Sequence, residues 1–163
     1  MEADATCMLS GSYAPAKVYV SSPLITSIRN ASESQIVSEG ILHYPELTLL
    51  VEDDESNSLN VGDFDIQIDN HKLYVVSNGI ANCYVSGTTD QLILGYYNGI
   101  GRFEGEQLVA KEVHVFHRAE NTLRVYPTEI LRGDLYSIGN LVSYYHPPVV
   151  DVTAHYEGRL IFY

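Results

Sequence analysis

His114 and His117, in the segment HVFH, are the first candidates for chemistry, because paired imidazoles are common metal ligands. On a strand, residues three apart face opposite sides, so this pair converges only if a bend falls between them. No cysteine lies nearby to complete a site. The expectation is therefore no bound metal and no cofactor. His146 stands before Pro147-Pro148, where two restricted backbones predict a rigid corner and not a reactive group.

Carboxylates are the second set. The run Glu52-Asp53-Asp54-Glu55 could attract calcium, but its spacing is not that of an EF-hand loop and it reads as a solvated corner. Polysaccharide-cleaving enzymes need a carboxylate cluster, or calcium with a Lys or Arg base. Asp63, Asp65 and Asp69 are close in sequence but belong to one strand, and Asp90, Asp134 and Asp151 are not in register with them. There is no serine or cysteine nucleophile motif and no glycine-rich phosphate loop before a helix. No catalytic residue is expected, and the chain reads as a non-enzyme.

Tyrosine is the third. The chain has 13 Tyr and no Trp, including two adjacent pairs, Tyr96-Tyr97 and Tyr144-Tyr145, each beside a corner. Outward rings would give a stacking platform for sugars or an adhesive surface for a protein. Equally, Tyr has high strand propensity and packs against neighbours along a column. The four paired tyrosines are the candidate ligand-binding residues.

Whatever these side chains do, repeated short strands must position them. Lys72 to Gly105 contains one unit twice: an alternating apolar run (Leu73, Val75; Leu92, Leu94), an Asn-Gly turn (Asn78-Gly79; Asn98-Gly99), a second run (Cys83, Val85; Ile100, Phe103) and a glycine corner (Gly87; Gly105). A period near 20 residues with strand alternation marks a solenoid in which each repeat is one coil. Asp63–Asp69 alternates cleanly, with Phe64, Ile66 and Ile68 on one face. Val113/Val115, Leu123/Val125, Leu141–Tyr144, Val150/Val152 and Leu160/Phe162 continue the pattern. No stretch keeps a helical period with caps, so essentially no helix is expected. Asn78, Asn98, Asn121 and Asn140 recur at spacings of 20, 23 and 19, which predicts a structural corner column of stacked asparagines.

Composition narrows the partners. A net charge of −12 argues against nucleic acid and against an anionic membrane surface. No run is long and apolar enough to span a bilayer. Met1-Glu2-Ala3-Asp4 has neither the basic nor the apolar region of a signal peptide, so the chain is cytoplasmic or begins after a removed signal. Cys7 and Cys83 lie too far apart to suggest a disulfide framework, and Cys83 alternates in phase with Val85 as a buried thiol would.

The repeated Gly-x-x-Asn pattern and the closing segment Ile138-Gly139-Asn140-Leu141-Val142-Ser143-Tyr144-Tyr145-His146-Pro147-Pro148 resemble the head domain of auto-transporter adhesins. The resemblance covers roughly residues 17–163. It implies a right-handed parallel β-helix exported to the envelope of bacteria, especially Bacteroidetes, and it carries no catalytic residues. The family's frequent Gly-Ser-Gly corners are replaced here by bulkier ones, such as Arg118-Ala119-Glu120 and Tyr145-His146-Pro147.

These readings combine into an all-β fold, a right-handed single-stranded parallel β-helix of about six coils from Glu46 onward, within one domain over 1–163. Residues 1–44 would form an irregular N-terminal segment, opening coil and cap, and 45–163 the regular coils. The expected function is a non-catalytic binding or adhesion module of the bacterial envelope, in the periplasm or at the cell surface, with a glycan or protein ligand. The alternatives are a carbohydrate-active β-helix that binds or cleaves a polysaccharide, and a structural spacer. The apolar end Arg159-Leu160-Ile161-Phe162-Tyr163 suggests a homo-oligomer formed through the C-terminal coil.

Overall fold

The alternation of apolar and polar residues that runs through the chain builds parallel strands, seen in a computed structural model that describes residues 16–52 and 61–163. Cys7 and the Asp53-Asp54-Glu55 part of the acidic run lie outside the described residues. Ten strands follow in order: β1 Ser27–Arg29, β2 Ile36–Leu42, β3 Glu46–Val51, β4 Phe64–Ser77, β5 Cys83–Tyr96, β6 Phe103–His117, β7 Leu123–Leu135, β8 Leu141–Ser143, β9 Val149–Ala154 and β10 Leu160–Phe162. The described residues contain no helix. Every strand pairing is parallel, in the order β1-β3-β4-β5-β6-β7-β8-β10, with β2 beside β4 and β9 beside β7. The result is a β-solenoid of about seven turns.

Each of β4 to β7 covers two sides of a coil, because its alternation slips by one residue midway. In β4 the buried residues are Phe64, Ile66 and Ile68, then Leu73, Val75 and Ser77. The slip falls at Asp69–Lys72, and the strand bends there to keep both apolar sets inward. The same change of phase occurs in β5 between Thr89 and Leu92, and in β6 between Ala110 and Val113. In β7 the bend holds Pro127, which has no backbone N–H to give to a ladder.

Inward residues stack in columns. Leu73, Leu92, Val113, Leu131 and Val150 are successive register partners, as are Val75, Leu94 and Val115. The six core positions expected from the sequence (Leu73, Val75, Leu92, Leu94, Val113 and Val115) are all buried. At the last coil the inward column opens. Val150 and Phe162 are register partners of buried Leu131 and Ser143, yet both are exposed.

The first coils differ from the expected boundaries. Lys17–Ser21 forms no strand, and only the end of the Leu24–Ile28 candidate enters β1. In the same region β2 pairs with β4 and takes up a register shift between Val37 and Ile41.

The asparagine column does not form as expected. All four residues lie in the corners between one strand and the next, but not all at the same place. Asn78 and Asn98 stand five residues before the following strand, Asn121 two and Asn140 one. A ladder of like side chains needs the same position in every coil, and equal sequence spacing does not ensure it when corner lengths vary. Instead Asn121 Nδ2 donates to the Ile100 carbonyl, and Asn140 Oδ1 accepts the Arg159 N–H at 2.8 Å. Asp63 does for Asn82 what Asn140 does for Arg159, accepting its backbone N–H at 2.7 Å.

Candidate functional site

The strand segments after the bend form one broad sheet face. Its outward columns are Lys72–Gln91–Glu112–Ile130, Tyr74–Ile93–His114–Arg132 and Val76–Gly95–Phe116–Asp134. An aromatic row bounds one side of this face and a charged row bounds the other.

The aromatic row is Tyr97, Phe116, Tyr136 and His155, one ring from each of four successive coils. Ring centres are 5.0 Å, 5.1 Å and 4.3 Å apart in turn, and His155 lies parallel to Tyr136 within 2°. Phe116 stands in register with Gly95, two residues before Tyr97. Tyr97 joins the row by folding its ring back over Gly95, where an added Cβ would come within 2.8 Å of it. Tyr97 is 45% and Tyr136 42% exposed. Because the rings face one another, they present mainly edges and phenol groups outward. His155 Nε2 lies 2.7 Å from Asp134 Oδ1, which fixes the last ring.

The charged row follows the bend. His71 Nδ1 is 2.8 Å from Asp90 Oδ2, and Lys111 Nζ is 2.6 Å from Asp90 Oδ1. Lys111, then His71, holds the Asp90 carboxyl below its ordinary value, and Asp90 raises the Lys111 ammonium in return. Beside this row Asp69 accepts from Thr88 Oγ1 at 2.7 Å and approaches His43 at 3.4 Å. Along the charged row, at the bend, runs an open groove of about 660 Å³ lined by residues from His43 to Glu129.

The paired tyrosines do not make one platform. Neighbours on a strand face opposite sides. Tyr96 is therefore wholly buried, its hydroxyl donating to the Arg102 carbonyl at 3.1 Å, and it offers no ring to solvent. Burial, and secondarily Cys83, raises its phenol pKa well above the ordinary value. Tyr144 packs on Tyr163 at 5.0 Å, and Tyr145, 44% exposed, stacks on Tyr126 at 5.7 Å. Only Tyr97 of the four belongs to the aromatic row. The row was not legible because Phe116 and His155 are not tyrosine and Phe116 stands two residues out of register with Tyr97.

The carboxylates keep the expected lack of register. Asp63 is occupied with Asn82, and Asp69 and Asp90 are not register partners, although both line the groove. Asp134 and Asp151 line a second depression beside the aromatic row, with Arg132. Among the described residues no group of three or more His, Cys, Asp or Glu side chains is placed to hold a metal ion.

His114 faces outward and His117 is fully buried, on opposite sides of β6 as period-2 geometry requires. The His117 ring meets Tyr96 edge-on at 6.4 Å, and neither nitrogen closes a hydrogen bond of good geometry. Burial pushes its pKa down to about 4, only partly opposed by the nearby Asn121 backbone. A histidine kept neutral in the fold binds its proton more readily when unfolded, so stability is lost as pH falls from about 6.5 to about 4. His117→Leu, matching Leu135 in the next coil, is expected to remove this component. Denaturant titrations of both proteins at pH 7 and pH 4.5 check it, since equal pH dependence would contradict a buried neutral imidazole. Cys83 is a buried free thiol, pushed up to about 12 by burial.

A family model described as "Putative auto-transporter adhesin, head GIN domain" matches residues 7–147. The chain belongs to this adhesin head-domain family. The match runs through Gly139-Asn140 to Pro147, most of the closing segment that carried the resemblance, and begins before residue 17. No curated protein and no solved structure matches the chain. In this head domain the two rows are built from residues 19 to 21 apart, and no short motif spells out either row.

Proposed function

We propose that the protein is a non-catalytic binding module of adhesin type, exported to the bacterial cell envelope, that contacts its ligand through the face between the aromatic and charged rows. The observation that carries this reading is the aromatic row itself. Four rings from four coils are held on a sheet whose backbone bonds run coil to coil, so the contact surface is ordered before any ligand arrives. Pre-ordering spares the entropy that flexible side chains lose on binding. Half-exposed tyrosines also suit recognition, because each combines apolar area with a hydroxyl. Family membership supports an adhesive role and a location outside the cytoplasm.

The other reading is a carbohydrate-active β-helix that cleaves a polysaccharide. A glycan array run beside a cleavage assay on mixed polysaccharides separates the two. Binding without turnover, weakened about tenfold in a Tyr97→Ala, Tyr136→Ala variant, is the expected result for ligands held by the aromatic row. Release of shorter saccharides by the parent would overturn the binding-module reading.

A further inference from the structure

An asparagine side chain is open to attack by the next backbone nitrogen when glycine follows, because glycine has no Cβ to block the approach. The described residues contain two such pairs, Asn78-Gly79 and Asn98-Gly99, each in a corner between two long strands. The other described asparagines commit their side chains to the fold. Asn30 donates to the Ser34 carbonyl, Asn70 to the Lys72 carbonyl and Asn121 to the Ile100 carbonyl. Asn82 is held by Asp63, and Asn140 accepts the Arg159 N–H. Asn78 and Asn98 differ from all of these. Both are exposed, and among the described residues neither side chain has a hydrogen-bond partner.

The two corners are not held alike. The Asn78 N–H donates to the Val51 carbonyl at 2.9 Å, so the ladder still grips the first residue of that pair. In the next coil Tyr97 makes the equivalent bond, to the Ser77 carbonyl at 2.9 Å, one residue before the pair begins. Neither the Asn98 nor the Gly99 N–H donates to a described residue, and Gly99 takes φ +88°. We infer that Asn98 is a site of spontaneous deamidation in the folded protein, converting to isoaspartate ahead of Asn78. The Gly99 nitrogen adds to Asn98 Cγ, so an N–Cγ bond forms and the Cγ–Nδ2 bond breaks. The proton of the Gly99 nitrogen passes through water to Nδ2, and ammonia leaves. Water then opens the succinimide ring. Hydrolysis of the new N–Cγ bond gives aspartate, and hydrolysis of the original peptide bond gives isoaspartate, whose main chain is one carbon longer. Either product sets a carboxylate directly beside Tyr97, the first ring of the aromatic row. The edge of that face therefore changes as the protein ages, whatever the face binds.

The test is incubation of the folded whole chain at 37 °C and pH 8, followed by trypsin digestion and tandem mass spectrometry. Trypsin releases Leu73–Arg102 as one peptide, which holds Asn78, Asn82 and Asn98 together. A sample digested without incubation sets the background. Asn98 is expected to convert about three- to tenfold faster than Asn78, the factor that one hydrogen bond supplies. Asn82, tied to Asp63, is expected to stay an amide. Methyl transfer from S-adenosylmethionine by an isoaspartyl methyltransferase identifies the rearranged product. Asn98→Gln, whose longer side chain closes the ring far more slowly, is expected to remove most of that signal. In urea, with the restraints of the fold gone, the two Asn-Gly pairs are expected to convert at equal rates. Asn98 persisting as an amide in the folded chain, over a time in which urea-unfolded chain converts, would overturn the inference. Conversion of Asn78 as fast as Asn98 in the folded chain overturns it as well.

Discussion

Replacing Leu92 with alanine is expected to lower the unfolding free energy by about 2–5 kcal/mol, the range for buried leucine truncations. Leu92 sits midway in the column running from Leu73 through Val113 to Leu131, and it is fully buried. Its methyl groups touch the coils above and below, so the cavity left by truncation opens into two coil interfaces at once. Backbone ladders on both sides restrain those coils and limit collapse into the space. The loss therefore belongs toward the upper part of the range. Urea unfolding followed by circular dichroism measures it, with the slope compared between variants because repeat arrays can depart from two-state behaviour. A Leu92→Ala protein as stable as the parent would mean that the column does not carry the core.

The second large effect is expected at Gly87. Its φ is +109°, and a Cβ there would stand 1.9 Å from the backbone carbonyl oxygen of Ile68, its register partner on the preceding coil. The obstacle is backbone already committed to the ladder, so neither side yields cheaply. Gly87→Ala is expected to cost about 3 kcal/mol or more, combining an unfavourable conformation with displacement of a strand. Gly40 supplies the comparison, with φ +86° but nothing within 4 Å of an added Cβ. Gly40→Ala isolates the conformational part and is expected to cost about 1 kcal/mol. Thermal and urea unfolding of both variants test the difference, and equal losses would remove the steric argument.

The solenoid was legible because two signals agreed: alternation of period two and recurrence near 20 residues. Leu73 and Leu92 could be aligned by inspection, and they are register partners. What stayed hidden depends on where each strand bends and how long each corner is. Tyr96 and Tyr97 read as a pair, although adjacent residues on a strand must part company, one to the core and one to the surface. Asn121 and Asn140 kept the spacing of a column but not the position. The groove had no local signature at all. Its charged residues come from five coils, and Asp90 meets Lys111 across a coil boundary although 21 residues separate them. Such a site appears only once the phase slip in each long strand has been placed.

The stacking order has a mechanical consequence. Coils touch their immediate neighbours, so tension along the axis passes through the interfaces one after another, as through links of a chain. The weakest link gives way first. Each coil that peels away lengthens the tether by roughly 65 Å, at about 3.3–3.6 Å per extended residue. A domain built this way yields in steps, absorbing work at every release, while the coils still stacked keep their sheet faces intact.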